Sequence, residues 1–432
     1  MVQGECPTVG QVSKSEMALR PARPENLYAF ADPGETMDKA EAVGKMVTPW
    51  SPGILDIHHL NTGRGDAALC IMPDGTSMLI DAGNLRAGNP RHTPPRPDGS
   101  RTPGEWICRY VRHVLSGWRR VALDYVVITH FHADHLGEVS DDQKLSKSGG
   151  FKLTGITEVG EHIPIKKIID PCWPDYNYPQ PLDDQRVHNY RAFLEYHRAK
   201  GHLQVEKFRP GVNDQIVLLR KPRRYPNFEI RNIAANGEIW TGVGTSTMHL
   251  FPPLEGLEPG DIPTQNMCSI ALRMSYGKFD YFAGGDLIGV AKHGVAPAFH
   301  DVETPVGQVV GPVDVSVATH HGDLTAQNAN IIASLRPRVH ILQVWAASHP
   351  APTVLWRMLS TLLYPGPRDI FATNMMRETK VVIGPNIEKL KSDQGHILVR
   401  VQPGGDQYDI IILDDSAENY QVKAVHGPYD SA

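Results

Sequence analysis

The chain has 432 residues, of which 41% are hydrophobic and 21% are charged. These proportions are typical of a globular protein with a large buried core, and they exclude a disordered or fibrous chain. With 43 basic and 48 acidic residues the net charge is −5, so no overall positive field attracts nucleic acid. Since the sequence has no apolar run of transmembrane length and no apolar secretion signal near its N-terminus, we expect a cytoplasmic protein without a membrane partner.

The five cysteines are widely scattered and include no Cys-x-x-Cys pair. An odd number of scattered cysteines does not make a disulfide framework, and it fits a reducing compartment. The 20 histidines are more informative, because several of them are clustered. The position of these clusters relative to the predicted strands decides what the sequence indicates about function.

The first part of the chain is predicted to contain an arm and then strands interrupted by a helix. Residues 1–50 are polar and rich in Pro and Gly, so we predict an N-terminal arm there and a domain over 51–432. Apolar runs bounded by Gly-rich turns, and one segment with helical spacing, indicate the elements that follow. They are strands at 54–60, 67–72 and 77–81, a helix at 105–119 and an apolar strand at 123–129.

The second part is predicted to contain an insertion at about 140–250, which includes a helix at about 183–200. The aromatic residues Trp173, Tyr176 and Tyr178 of this insertion either anchor it or stack on a base or an aromatic headgroup. Further predicted elements are strands at 268–274, 279–283, 313–318, 339–344, 369–372, 396–401 and 408–413, with a helix at 352–363. This order predicts an α/β fold whose two sheet halves pack face to face with helices outside.

The strongest motif is Thr-His-Phe-His-Ala-Asp-His-Leu-Gly, which directly follows the predicted strand at 123–129. It places His130, His132, Asp134 and His135 within six residues. A tight loop at a strand end can direct the first two side chains to one side and the last two toward a second point nearby. Neutral imidazoles and carboxylates are ligands of Zn²⁺, Mn²⁺ and Fe, so the motif indicates a metal site. The alternative is a hydrogen-bonded polar loop.

Other predicted strands also end in histidine or aspartate. Asp286 follows two glycines after the strand at 279–283, an arrangement that suits a carboxylate between two metals. His320, His321 and His349 follow two later strands in the same way. Taken alone, a Gly-Gly-Asp turn is more often only a turn, and a lone histidine more often has a structural role. Three strand ends that deliver such residues in the same way indicate a single site.

At this point the sequence resembles a known family. The cluster at 130–135 resembles the signature of the metallo-β-lactamase superfamily. Further segments are similar to the β-lactamase-like domain of ComEC-type competence proteins, and phosphorylcholine esterase-type phosphodiesterases resemble the same layout. These segments are Leu-Asn-Thr-Gly-Arg-Gly-Asp-Ala at 60–67, Met-Leu-Ile-Asp-Ala-Gly at 78–83, residues 266–269, Gly-Asp at 285–286, His-His-Gly at 320–322 and His-Pro at 349–350. They occur in the family's order within residues 54–415.

The resemblance implies an αββα metallo-β-lactamase-like sandwich of two mixed sheets flanked by helices, with two divalent metal ions at the strand ends. The implied ligands are His130, His132 and His321 for one metal and Asp134, His135 and His349 for the other, with Asp286 bridging them. Zinc is the expected metal, and manganese and iron are alternatives. Which of His320 and His321 binds a metal stays open.

The same resemblance implies three further roles. Asp81 matches an acid that orients a ligand histidine, and Asp134 and His320 are the candidate catalytic residues. His320 lies beside a ligand, where it could contact a phosphoryl oxygen of the substrate or protonate the leaving group. Many superfamily members place a ligand histidine well before the bridging acid. Here the histidines between His135 and Gly285 lack a matching motif, so the His-His-Gly pair is taken to supply that ligand.

A two-metal site provides hydroxide at neutral pH, which can attack phosphorus or a carbonyl carbon. The resemblance favours a phosphodiesterase or phosphoesterase that uses a metal-bridging hydroxide on a small-molecule or nucleotide phosphodiester. Hydrolysis of a carboxylic ester, lactone or amide is the alternative, and a non-catalytic metal-binding sensor or partner module is a third reading. Nucleic acid stays open as a partner. The membrane channel of ComEC proteins is absent, so the resemblance does not imply DNA uptake.

Overall fold

The computed structural model describes residue 1 and residues 39–147 and 149–432. Most of the predicted arm lies outside these residues. Within its last part, Lys39–Ala42 forms a short helix, α1, and the backbone of Met46 pairs with that of Gln421 near the C-terminus. The division of the chain into arm and domain stays a prediction. In the described part of the chain, every helix is too short or too polar to cross a lipid bilayer.

The described strands are numbered along the chain. They are β1 Leu55–His59, β2 Ala68–Ile71, β3 Ser77–Ile80, β4 Leu123–Val127, β5 Ile165–Asp170, β6 Gln204–Lys207, β7 Phe228–Ala235, β8 Glu238–Trp240, β9 Thr247–His249, β10 Ala271–Tyr276, β11 Phe279–Ala283, β12 Val315–Val317, β13 Val339–Leu342, β14 Asp369–Ala372, β15 Leu390–Ser392, β16 His396–Val401, β17 Gln407–Leu413 and β18 Val422–Asp430.

The remaining helices are α2 Pro103–Val114, α3 Ala133–Leu136, α4 Gly155–His162, α5 Gln185–Ala199, α6 Glu303–Val310, α7 Ala329–Leu335, α8 Pro352–Leu359 and α9 Arg377–Ile383. Short 3₁₀ helices lie at Pro222–Arg224, Asn266–Cys268, Ala298–His300, Thr319–Gly322 and Gly384–Lys389.

The strands form two mixed sheets of nine strands each. Sheet A has the order β18-β17-β16-β1-β2-β3-β4-β5-β6, and its strands β3 to β6 are parallel. Sheet B has the order β15-β14-β13-β12-β11-β10-β7-β8-β9, and its strands β11 to β15 are parallel. The parallel strands of a sheet end at the same edge, so the loops that follow them converge there.

The two sheets pack face to face because alternate residues of their strands are apolar on the inner side. In β16, Ile397 and Val399 join a buried cluster shared with sheet B residues such as Leu272, whereas Leu398 joins the outer cluster under the helices. That outer cluster includes apolar residues of α2, α4 and α5, and a third cluster lies between sheet B and α6, α7 and α8. The predicted sandwich of two mixed sheets flanked by helices is confirmed.

Several element boundaries differ from the sequence predictions. Helix α2 ends at Val114, five residues earlier than predicted, where Ser116 and Gly117 follow its cap residue Leu115. The predicted strand at 268–274 begins only at Ala271, because the preceding residues form a 3₁₀ turn.

The region predicted as an insertion also contributes to both sheets. Residues 165–207 supply β5 and β6 at one end of sheet A, and residues 228–249 supply β7 to β9 at one end of sheet B. Of its aromatic residues, Tyr176 is fully buried and belongs to the outer cluster of sheet A. This burial places Tyr176 in the packing role that was one of its two predicted alternatives.

Candidate metal centre

The predicted site residues lie in loops at the carboxyl ends of parallel strands from both sheets. The segment after β4, which includes the short helix α3, carries the four residues of the 130–135 cluster, Asp81 directly follows β3, and the loops after β11, β12 and β13 carry the others. In the first group, ligand atoms of four side chains lie within 4.8 Å of one another: Asp134, His135, Asp286 and His321. A second group, defined by the same distance, consists of His130, His132 and Asp286. The two groups share Asp286. The structure therefore brings together residues that are up to 191 positions apart in the sequence.

Asp81 fixes the first group from the side of sheet A. Its Oδ2 accepts hydrogen bonds from His135 Nδ1 at 2.8 Å and from the hydroxyl of Thr129 at 2.7 Å, and its Oδ1 accepts one from the backbone N–H of Thr129 at 2.8 Å. Because Nδ1 of His135 is occupied in this way, its Nε2 is the atom that faces the group, 3.1 Å from Asp286 Oδ1. Asp81 has the left-handed φ of +58°, a conformation that short polar side chains tolerate.

Asp286 lies between the two groups. Its Oδ1 is 3.1 Å from His135 Nε2 and 3.4 Å from His321 Nε2, whereas its Oδ2 is 3.6 Å from His130 Nε2. One carboxylate oxygen thus faces each group, which is the arrangement expected of a carboxylate shared by two cations.

Gly285 lets the chain bring Asp286 to this position. Its φ is +50°, and a Cβ at this residue would lie 3.0 Å from the Cβ atoms of both Ser269 and Thr129. A larger residue would be strained and would also push against both neighbours. The hydroxyl of Ser269 accepts a hydrogen bond from the backbone N–H of Asp286 at 3.1 Å, which holds the turn in place.

The turn after β12 presents two histidines in different directions. His320, His321 and Gly322 have φ values of +47°, +56° and +76°, so three successive residues are left-handed. Such strained backbone in non-glycine residues clusters at functional sites. His321 Nε2 lies 2.9 Å from Asp134 Oδ2, inside the first group.

His320 turns to the margin of the site instead. Its Nδ1 contacts the Thr325 hydroxyl at 2.9 Å and its Nε2 contacts Asn266 Nδ2 at 3.0 Å. The same Nε2 is 3.8 Å from Asp286 Oδ2. The geometry therefore favours His321 over His320 as the ligand, a choice that the sequence leaves open.

His349 lies next to the first group without belonging to it. Its ring stacks on that of His321 with a centroid distance of 4.9 Å, and its Nδ1 is buried without a hydrogen-bond partner among the described residues. The resemblance implies that His321 joins His130 and His132, but in the structure His321 lies with Asp134 and His135. The direction in which a left-handed turn points a side chain is not readable from the sequence, which explains this difference. The role of His349 as a ligand stays a prediction.

The charges of the cluster compensate one another. Burial alone would raise the pKa of Asp134 and Asp286, but the imidazoles of His135 and His321 hold both pKa values well below the ordinary range. Burial would lower the pKa of His135 and His321, but the surrounding carboxylates raise both well above the ordinary value. Protonated imidazoles thus neutralise the buried carboxylates in the absence of a cation, a task that divalent cations perform when they bind and displace these protons.

The donor set fits two divalent transition metals. Imidazole nitrogens and carboxylate oxygens are the atoms that zinc, manganese and iron share as ligands, and each of the two groups offers at least three of them. Burial and the neighbouring His135 lower the pKa of His130 well below its ordinary value. The ring therefore favours its neutral form, which is the form that binds a cation.

Sequence reasoning missed the role of Asp66. Its Oδ1 lies 3.2 Å from His321 Nδ1, and its backbone N–H donates to the Asp134 carbonyl at 2.7 Å. Asp66 therefore contacts one predicted ligand by its side chain and a second by its backbone. The sequence suggests only that Asp66 caps a turn beneath the metal site, and the signal that could have identified its contact with His321 is its place in the motif at 60–67.

Aromatic packing holds the 130–135 loop from behind. The rings of Phe131, Tyr176 and Tyr190 pack against one another, with centroid distances of 5.5 and 6.1 Å from Phe131 to the two tyrosines. Both tyrosine hydroxyls donate to the buried carboxylate of Asp170, at 2.7 and 3.0 Å. The insertion region therefore buttresses the loop that carries the histidines.

Comparisons with known proteins give distant structural similarities. No protein-family model matches the sequence, and no curated protein matches it. CmlA, a diiron β-hydroxylase from Streptomyces venezuelae, is similar over 82% of this chain and 55% of its own, with 13% sequence identity and a TM-score of 0.38. This chain thus spans about half the length of CmlA.

Two further solved structures are similar to parts of the chain. AbOPH, a hydrolase in the β-lactamase superfamily, is 13% identical over 54% of this chain and 64% of its own, with a TM-score of 0.26. Human tRNase Z, short form (ELAC1), is 12% identical over 66% of this chain and 91% of its own, with a TM-score of 0.29. The architecture of this chain, two mixed sheets packed between helices, is consistent with the metallo-β-lactamase fold.

Proposed function

We propose that this protein is a hydrolase that depends on two divalent metal ions, and that its substrate is a phosphodiester. The observation that carries the proposal is the position of Asp286, whose two carboxylate oxygens face two separate groups of imidazole and carboxylate ligands. Two cations bound at such a site lower the pKa of water toward neutrality and polarise the bond to be hydrolysed. Zinc is the metal we propose, and manganese and iron are the alternatives to be compared with it.

The residues of the chain itself have separate tasks in this proposal. Asp81 holds His135 in one tautomer, with Nε2 free toward the metals. The Gln343 carbonyl acts in the same way on His321, because it accepts a hydrogen bond from Nδ1 at 3.2 Å, and Asp66 Oδ1 lies 3.2 Å from the same nitrogen.

His320 is proposed as the group that meets the substrate. Its side chain is 21% exposed, whereas those of His130, His135 and His321 are almost fully buried. Contacts with Asn266 and Thr325 fix the ring, and its Nε2 lies near Asp286. Once its Nε2, which accepts a hydrogen bond from the Asn266 amide, is protonated and turns to the substrate, His320 can donate a hydrogen bond to a phosphoryl oxygen or a proton to the leaving alcohol.

The preference for a phosphodiester is supported by the resemblance to ComEC-type domains, since such a site can also attack a carbonyl carbon. We would therefore assay the metal-loaded protein on bis-p-nitrophenyl phosphate, on p-nitrophenyl acetate and on a panel of lactones. Zinc and manganese would be compared, and metal content would be measured by elemental analysis. We expect about two metal ions per chain and hydrolysis of the phosphodiester.

The variant Asp286→Asn tests the shared carboxylate. We expect it to lose most of its metal and its hydrolytic activity while keeping its circular dichroism spectrum. Asp406→Asn, at a carboxylate 73% exposed on the surface, serves as the matched control and should keep both. Wild-type protein without metal after metal-supplemented expression would contradict the metalloenzyme proposal, and activity on the carbonyl substrates alone would contradict the phosphodiester.

A further inference from the structure

Arg64 is a buried cation without an acidic partner. The residue is only 6% exposed, yet among the described residues its guanidinium forms no ion pair, and its side chain makes one hydrogen bond, from Nη1 to the carbonyl of Arg86 at 3.0 Å. A guanidinium carries five N–H donors and remains charged in proteins. Burying such a charge is costly unless an anion compensates it. The other arginine buried to this degree, Arg400, illustrates the rule, since both of its terminal groups bind Asp56 or Thr48.

Arg64 lies beside the candidate metal centre. It precedes Asp66, which contacts His321, by two residues. The backbone carbonyl of Arg64 accepts a hydrogen bond from the N–H of Leu85 at 2.9 Å, which connects the start of the loop at 84–104 to Arg64. Burial lowers the pKa of His92 in that loop, and Arg64 lowers it further while Asp134 raises it, so both charges lie close to this ring. His92 is therefore within electrostatic range of both the guanidinium and Asp134.

The same loop contacts Trp345, whose ring lies next to the candidate metal centre. Thr93 N–H donates to the Trp345 carbonyl at 2.8 Å, and the Trp345 ring lies 5.2 Å from that of His92. The centroid of the Trp345 ring also lies 5.3 Å from that of His321 and 4.9 Å from that of His349. Nε1 of Trp345 and Nδ1 of His92 are buried without a partner among the described residues. Polar atoms left in this way are rare in folded proteins and are expected where a ligand completes the hydrogen bonding.

We propose that Arg64, together with the unpaired donors of His92 and Trp345, forms a subsite that binds a second phosphate group of the substrate, separate from the diester that is hydrolysed. This inference rests on the proposed function and narrows it to substrates such as nucleotides that carry a further phosphate monoester. A phosphate dianion supplies the charge that the buried guanidinium lacks, and the planar fork of arginine matches two of its oxygens.

Two pairs of probes that differ by one phosphate test the subsite in the metal-loaded protein. The hydrolysis pair is thymidine 5′-(p-nitrophenyl phosphate) with and without a 3′-phosphate. The binding pair is thymidine 3′,5′-bisphosphate and thymidine 5′-phosphate, titrated by calorimetry. In the wild type we expect the additional phosphate to tighten binding and to lower KM by about 10- to 100-fold, the range of a charge-assisted, two-pronged hydrogen bond.

Three variants assign this effect to the guanidinium. Arg64→Gln should bring the ratio between the two members of each pair close to one, and Arg64→Lys, which keeps the charge but not the fork, should keep part of the ratio. Arg86→Gln is the matched control, because it removes an exposed neighbouring charge but keeps the carbonyl that Arg64 uses. Metal content and unfolding temperature would show that each variant is folded and loaded.

The outcomes separate the subsite from the function. If both diesters are hydrolysed, but the ratios of KM and of affinity within each pair do not change in Arg64→Gln or change equally in Arg86→Gln, the proposed subsite is wrong. The proposed phosphodiesterase activity then stands. If neither diester is hydrolysed but the bisphosphate binds more tightly in a manner that depends on Arg64, the subsite stands and the proposed reaction is wrong. Equal binding of the two calorimetric probes to the wild type would also overturn the subsite.

Discussion

Replacing Asp81 with asparagine is expected to weaken the metal centre without moving its backbone. The carboxylate accepts three hydrogen bonds, from His135 Nδ1 and from the N–H and hydroxyl of Thr129. Asparagine is the substitution of choice because it tolerates the left-handed φ of +58° at this position. It keeps the size of the side chain and removes its charge, so the imidazole loses the partner that makes its Nε2 a strong ligand.

The expected magnitude follows from these contacts. Loss of such a carboxylate partner costs about 10- to 100-fold in metal affinity, which corresponds to about 1 to 3 kcal/mol. Because His135 belongs to the group with Asp134 and His321, we expect one of the two metals to be weakened much more than the other. Competition with a chromogenic chelator, analysed for two stepwise constants, measures both affinities.

Asp124, near the start of β4, offers a matched control, because Asp81 bonds Thr129 just after the end of the same strand. Its carboxylate is equally buried and accepts hydrogen bonds from the N–H and hydroxyl of Ser77, at 2.9 and 3.2 Å. Asp124→Asn is therefore expected to lower the free energy of unfolding and to leave both metal affinities unchanged. Our reasoning on Asp81 is refuted if Asp81→Asn binds both metals as the wild type does, or if Asp124→Asn weakens them equally.

Three further expectations concern stability and metal loading. Burial lowers the pKa of His58, His59 and His396 from 6.5 to about 4, so each histidine contributes stability above pH 6.5 that is lost as the pH falls toward 4, by up to about 3 kcal/mol, whereas Glu158 and Glu303, whose pKa burial raises to about 7, act in the opposite direction. The histidine contribution is measured as the difference between urea titrations of the metal-free wild type and of His396→Gln, and an identical pH dependence of the two would contradict it. Gly285→Ala should reduce metal content and lower the free energy of unfolding by about 1 to 3 kcal/mol, because the added Cβ would press on Ser269 and Thr129 at a left-handed φ. Equilibrium unfolding measures this loss, and Gly260→Ala, where the added Cβ meets open space, is the control. Removal of metal by a chelator should lower the unfolding temperature, and re-addition of metal should restore it. The free energy of unfolding should fall by about 3 kcal/mol relative to protein at a metal concentration 100 times the dissociation constant, and an unchanged melting curve would argue against tight binding.

The sequence is sufficient to predict the parts of the fold and site that depend on local pattern. The apolar strand before His130 and the strand before Asp286 are recognisable because continuous apolar residues end abruptly at polar ones. Since such strands lie in parallel within their sheets, their carboxyl ends meet, and the predicted residues come together for that reason.

Other parts of the fold depend on contacts that local pattern does not record. Strand β5, with the sequence Ile-Lys-Lys-Ile-Ile-Asp, has two lysines in succession and lacks the alternation of a half-buried strand, so its place in sheet A is set by its neighbour β4. Arg64 and Trp345 are 281 positions apart, and the loop at 84–104 connects them because its backbone donates hydrogen bonds to the carbonyl groups of both. Trp345 stands in no pattern that indicates a function, and the segment at 60–67 that contains Arg64 implies no role for the guanidinium.

The metal centre also links the two halves of the sandwich. Sheet A contributes Asp81 and the loop with His135, whereas sheet B contributes Asp286 and His321. Neither sheet alone offers a carboxylate that faces both groups together with all of their imidazoles. Under the proposed function, cations bound here would hold the carboxyl-end edges of the two sheets together against the mutual repulsion of Asp134 and Asp286. Metal binding would then be coupled to sheet packing, so a substitution that loosens the inner core between the sheets should weaken metal affinity even where it touches no ligand.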